Sequence, residues 1–170
     1  MAIRIQQVNN SDLARFVELL GDIFEHSPWV AERAYLLQPF ASRSELHQVM
    51  VKAVRQASRE ERLRLLRQHP ELAGREAAQD TLTRASRSEQ AGAGLNACTE
   101  EELKRLKHLN QAYYTRFKFP FIIAVTGLDK QQIMAAMARR LNNDPDEEFA
   151  AALGEVEKIA LIRLEKLIHE

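Results

Sequence analysis

Along nearly the whole chain, apolar residues recur every three or four positions, and Ser, Thr or Asp precedes most of the apolar runs. That period winds a helix with one apolar face, whereas a half-buried strand needs strict alternation. After Ser11-Asp12, the residues Leu13, Phe16, Val17, Leu20, Ile23 and Phe24 share a face, predicting a helix to about Phe24. Ser27-Pro28 reads as a cap followed by proline at the first helical position, opening a short helix through Trp29 to Leu37. Ser42 or Ser44 starts the next, with Leu46, Val49, Met50, Ala53 and Val54 inward. Ser58 and Glu61 have the spacing of a capping box, for a helix that runs to Gln68 and stops before Pro70. Thr99 and Glu102 repeat that box, Asp129 caps "DKQQIMAAMARRLNN", and Asp144 or Asp146 begins a last helix to about Ile168.

The expected fold is therefore all-α, one domain over residues 1–170 with about seven to nine helices. At 170 residues such a domain buries a real core without staples. The one extended piece is 118–126, "KFPFIIAVT", where Pro120 pushes Phe119 out of helical geometry. No convincing alternating strand, internal repeat or low-complexity tract is found.

Charge excludes some functions. Lys plus Arg equals Asp plus Glu at 24 each, so no global field draws the chain to nucleic acid or an anionic membrane. The arginines Arg55, Arg59, Arg62, Arg64 and Arg67 are interleaved with Glu60 and Glu61 and read as a solvated helix face. The longest apolar run, "FPFIIAV", is too short for a bilayer. "MAIRIQQVNNSDL" lacks the apolar core of a signal peptide, and "LIHE" is no peroxisomal address. Cys98 is the only cysteine, so no internal disulfide forms, and an inert thiol in a reducing, cytoplasmic setting is the expectation.

Four places do not fit a purely structural reading. His69 lies at a helix C-terminus, where it can cap carbonyls, yet imidazole is also the side chain suited to proton transfer near neutral pH. It shares no metal-ligand spacing with His26, His47, His108 or His169, so a zinc site is not expected. In "SRSEQAGAG" at 86–94, Ser86 and Glu89 have capping-box spacing. That account leaves Gln90 unexplained, and also Gly92 and Gly94, which would let a ligand or another backbone approach. Arg163 stands on the apolar seam of Leu153, Val156, Ala160 and Leu167, where it can snorkel to solvent, pair with a carboxylate, or grip a carboxylate or imide-like ligand. Finally, extended backbone at 119–125 needs partners for its N–H and C=O groups, either local loops or a flat polar heterocycle.

Together "HPELAG" at 69–74, "SRSEQAGAGL" at 86–95 and "LNQAYYTRFKFPFIIAVTG" at 109–127 resemble the decarboxylases that complete uric acid oxidation. Their substrate is 2-oxo-4-hydroxy-4-carboxy-5-ureidoimidazoline (OHCU) and their product is (S)-allantoin. The resemblance runs from about Asp12 to the last helix. It implies an all-helical homodimer that uses no cofactor or metal, with His69 and Glu89 catalytic. It likewise implies substrate contacts from Pro70, Ser86, Gln90, Arg163 and the backbone of Phe121, Ile122, Ile123, Ala124 and Val125. Arg163 is matched by its place in the last helix, with no motif around it. The missing peroxisomal address implies a bacterial-type cytoplasmic enzyme. The rival expectations are a binding protein for a purine-derived heterocycle that does not turn it over, and a helical interaction protein whose motifs are caps and turns.

Overall fold

A computed structural model describes residues 2–170. Among them are ten α-helices: α1 (Ile5–Asn9), α2 (Leu13–Leu20), α3 (Trp29–Tyr35), α4 (Arg43–Arg55), α5 (Arg59–Arg67), α6 (Arg75–Ala78), α7 (Arg84–Gly92), α8 (Glu100–Phe117), α9 (Lys130–Arg140) and α10 (Pro145–Leu167). A 3-10 turn occupies Leu95–Ala97, and one parallel bridge joins Ile3 to Ile168. The all-α expectation is met. The added elements are the short helices α1 and α6, whose few residues carry too little periodicity to read. No helix of the described residues is long and apolar enough to cross a membrane.

Most helix starts obey the local signals. Asp12, Ser42, Ser58, Thr99 and Asp129 each accept a backbone N–H at the N-cap of α2, α4, α5, α8 and α9. Asp144 plays this part ahead of α10, accepting the Glu147 N–H at 2.9 Å. Two readings are corrected. Helix α2 stops at Leu20, and Ile23 and Phe24 are buried from the turn beyond Gly21, so their apolar spacing reflects packing and not helical continuation. Ser27 does not cap α3: its hydroxyl donates to the Glu25 carbonyl at 2.9 Å, and Pro28 stands at the N-cap.

The chain packs as two compact units, residues 1–68 with 157–170, and residues 69–156. The first is built on α1–α5 and the end of α10, around Phe16, Leu20, Phe24, Leu46, Met50 and Leu65. There Phe16 meets the Tyr35 ring edge-on at 5.3 Å. The second holds α6–α9 and the start of α10. Its core is aromatic, with Tyr113 at 4.7 Å from Phe117, 5.8 Å from Phe119 and 5.2 Å from Phe121. Helix α8 ends at Lys118 in the left-handed region, and residues 118–126 leave helical structure as expected from Pro120. Phe119 and Phe121 can then enter this core from a non-helical backbone, beside Phe117 at the end of α8.

Candidate active site

All the motif residues except Arg163 fall in the second unit. His69 and Pro70 follow the end of α5, and His69 is buried with 7% of its surface exposed. The loop then turns sharply. Ala73 takes φ 48°, a left-handed conformation that costs a non-glycine residue about 1–2 kcal/mol. Gly74 admits no side chain, because a Cβ there would stand 2.5 Å from Glu71 Cβ. Close approach thus explains the glycine that ends "HPELAG".

Two side chains outside the loop hold it in that shape. Gln90 Oε1 accepts the Ala73 N–H at 2.9 Å, and its amide nitrogen donates to the Glu71 carbonyl at 3.4 Å. Asn110, from α8, donates to the Leu72 carbonyl at 3.1 Å. Beside the loop lies a cavity of about 470 Å³, walled by Glu71, Gly74, Arg75, Leu103, Lys107 and Asn110. None of the expected site residues lines it. Burial, and then the neighbouring Glu76 carboxylate, push the Glu71 carboxyl above its ordinary value.

Helix α7 revises the reading of "SRSEQAGAG". Its N-cap is Thr83, whose hydroxyl accepts the Ser86 N–H at 3.2 Å, so Ser86 and Glu89 do not form a capping box. Both sit inside the helix. Ser86, Glu89 and Gln90 lie three and four residues apart and so share a face. Ser86 and Gln90 are buried and Glu89 half-buried, and Gln90 reaches the loop that begins at His69. The glycines have separate explanations. Gly94 takes φ 81° just past the end of α7, the left-handed stop that glycine suits. Gly92 faces open space, so no part of the chain approaches it closely.

The segment 121–125 is gripped along one edge by side chains. Arg140, from α9, donates to the Ile122 carbonyl at 2.7 Å, and Glu155 Oε1, from α10, accepts the Ala124 N–H at 3.1 Å. The Arg140 guanidinium lies 4.4 Å above the Phe121 ring. It also meets the fully buried Glu148 carboxylate at 2.6 Å, where Tyr113 donates its hydroxyl and Asn143 its amide at 3.0 Å. Burial, and then that carboxylate, hold the Tyr113 phenol far above its usual range. Among the described residues, Ile123 donates and accepts no backbone hydrogen bond, and it is half-buried.

Arg163 belongs to the first unit and is buried. Its guanidinium donates to the Asp22 carbonyl at 3.0 Å and meets the Glu25 carboxylate at 3.4 Å. Pairing with a carboxylate, one of the alternatives open for this seam arginine, is what the structure contains.

Sequence reasoning missed Thr83, Asn110, Arg140, Glu148 and Glu155. Asn110 left a trace, a polar residue on the stripe of Leu106, Leu109, Tyr113 and Phe117. Arg140 and Glu155 left none, since arginine at a helix end and glutamate in a helix are ordinary.

The OHCU decarboxylase family model matches residues 9–165. A 2-oxo-4-hydroxy-4-carboxy-5-ureidoimidazoline decarboxylase of Haloferax volcanii is 45% identical over 162 residues, 95% of this chain and 94% of that protein. The uric acid degradation bifunctional protein of Bacillus subtilis is 41% identical over 98% of this chain, which spans 33% of its length. A crystal structure of (S)-allantoin synthase superposes with a TM-score of 0.80 at 30% identity, covering 98% of this chain and 54% of that one. A crystal structure of OHCU decarboxylase in the presence of (S)-allantoin aligns with a TM-score of 0.67 over 81% of this chain and 89% of that one. At 23% identity, the latter speaks to the fold alone.

Proposed function

The chain belongs to the OHCU decarboxylase family, and from that membership we infer that it is a carboxy-lyase of urate degradation, converting OHCU to (S)-allantoin. The observation that carries the reading to particular residues is the Gln90 bridge. It joins the helix face of Ser86 and Glu89 to the loop that His69 opens.

The substrate supplies its own electron sink. Its carboxylate sits one carbon from a ring C=N, so the pair freed when the C–CO₂ bond breaks moves into a new C=C as the ring nitrogen takes a proton. The resulting enol then becomes a carbonyl: its hydroxyl loses a proton while the adjacent carbon, which bears the ureido group, gains one. One proton is consumed overall. The tasks left to the protein are to turn the carboxylate out of the ring plane, steady the developing charge and protonate one face. His69 handles a proton at the substrate hydroxyl or ring, and general acid–base help of this kind is worth about 10²–10⁴-fold. Glu89 holds ring N–H groups or delivers the stereo-determining proton. Ser86 and Pro70 border the substrate, together with whatever donor capacity Gln90 retains.

The segment Phe121 to Val125 binds the ring through its backbone. In extended chain, alternate residues turn their polar groups to opposite edges. With Ile122 and Ala124 engaged on one edge, Ile123 offers an adjacent donor and acceptor on the other, matching the N–H and C=O of a lactam or ureide. A cytoplasmic homodimer is the form the family resemblance implies, with Cys98 a bystander whose thiol burial pushes up.

The deciding experiment generates OHCU in place from urate and follows optical activity. Faster loss of OHCU with allantoin enriched in the (S) form is expected. Racemic allantoin formed at the buffer rate would overturn the reading. Stabilisation by OHCU or allantoin without turnover would point to the binding-only alternative.

A further inference from the structure

The backbone segment 121–125 cannot set its own geometry, because it has neither a helix nor a neighbouring strand to hold it. Two side chains do so from separate helices, Arg140 on the Ile122 carbonyl and Glu155 on the Ala124 N–H. They take an acceptor and a donor two residues apart, which in extended chain lie on one edge. In extended chain the Ile123 N–H and C=O belong to the opposite edge.

We propose that Arg140 and Glu155 are positioning residues: they clamp one edge of this segment so that the Ile123 N–H and C=O stand at a fixed angle to receive the substrate's amide edge. The proposal rests on reading the segment as the ring-binding element. Neither residue is assigned a contact with substrate.

The two halves of the clamp are built differently. Arg140 is itself immobilised, by the Glu148 fork, by Asn143 and Tyr113 on the same carboxylate, and by the Phe121 ring beneath its guanidinium. A planar guanidinium can serve Glu148 and the Ile122 carbonyl at once, whereas a lysine ammonium lacks that fork. Glu155 accepts the Ala124 N–H and is half-buried, standing apart from the buried Glu148 network, so it is the gentler half to alter.

Glu155→Ala and Glu155→Gln test this in the full chain. Glutamine keeps an acceptor oxygen where alanine has none. Losing one such bond is worth about threefold to tenfold in an equilibrium. In Glu155→Ala, amide exchange in the 121–126 stretch should accelerate, and KM for OHCU should rise, each by about that factor. Glu155→Gln should restore both. Arg140→Lys should raise KM in the same direction if it folds.

A residue that only stabilised the fold would lower the melting temperature and leave KM alone, and that result in Glu155→Ala overturns the proposal. Unchanged exchange overturns the clamp itself. Wild-type protein without activity on OHCU would instead defeat the functional reading, while exchange would still decide whether the clamp exists.

Discussion

Gln90 Oε1 accepts the N–H of Ala73 at 2.9 Å, and Ala73 is the residue of its loop held in left-handed geometry. One amide thus joins the helix of Ser86 and Glu89 to the loop of His69 and offsets strain at the turn between them. A substrate-facing role inferred for Gln90 must therefore share the side chain with this structural bond.

Gln90→Ala should cost about 1 kcal/mol, the net worth of one hydrogen bond to a half-buried backbone N–H. Turnover of OHCU should fall with it, because the His69 loop loses its brace. Adding Ala73→Gly, which removes the left-handed penalty, should recover part of the melting temperature. Recovery of no stability in the double variant would mean that the turn is not where the cost arises.

Glu89 stands inside α7, so its replacement disturbs no cap. Glu89→Gln should melt near the wild-type temperature and turn over OHCU at least about tenfold more slowly, since glutamine keeps shape but not charge or proton capacity. Thr83→Ala should show the converse, losing about 0.5–2 kcal/mol with near-normal turnover. Wild-type rates in Glu89→Gln would remove the residue from the chemistry.

His69→Ala should lower turnover by about 10²-fold or more while the chain still folds. A histidine that only caps carbonyls would cost about 1 kcal/mol of stability at near-normal rate. Melting temperature and turnover measured on one preparation separate the two.

Glu71 carries a pH signature. Its folded carboxyl holds a proton to higher pH than the ordinary value of 4.5, because burial, and then Glu76, disfavour the charge. The sign follows from linkage: stability from the protonated form is present below the ordinary value and lost as pH rises through the folded one. Glu71→Gln, which mimics the protonated state, should melt higher than wild type at pH 7 and match it near pH 4. A difference independent of pH would assign the effect to packing.

What the sequence determined by itself was everything carried by contacts within a few residues. Caps at Asp12, Ser42, Ser58, Thr99 and Asp129 and the break at Pro120 were legible because each cap bond closes within one turn, and proline restricts its immediate neighbour. The order of "HPELAG", "SRSEQAGAGL" and the Phe-Pro-Phe stretch likewise pointed to the family. Local pattern misled where two residues matched one signal: Ser86 has cap spacing to Glu89, but Thr83, three residues earlier, takes the cap. Tertiary structure alone decided that Gln90 braces a loop 17 residues away, that Arg140 and Glu155 hold Ile122 and Ala124 across 18 and 31, and that Tyr113 meets Glu148 across 35. Such pairings need the chain to be folded before they exist. Their members are ordinary polar residues whose partners are set by packing, since buried donors and acceptors must be satisfied by whatever the fold brings near.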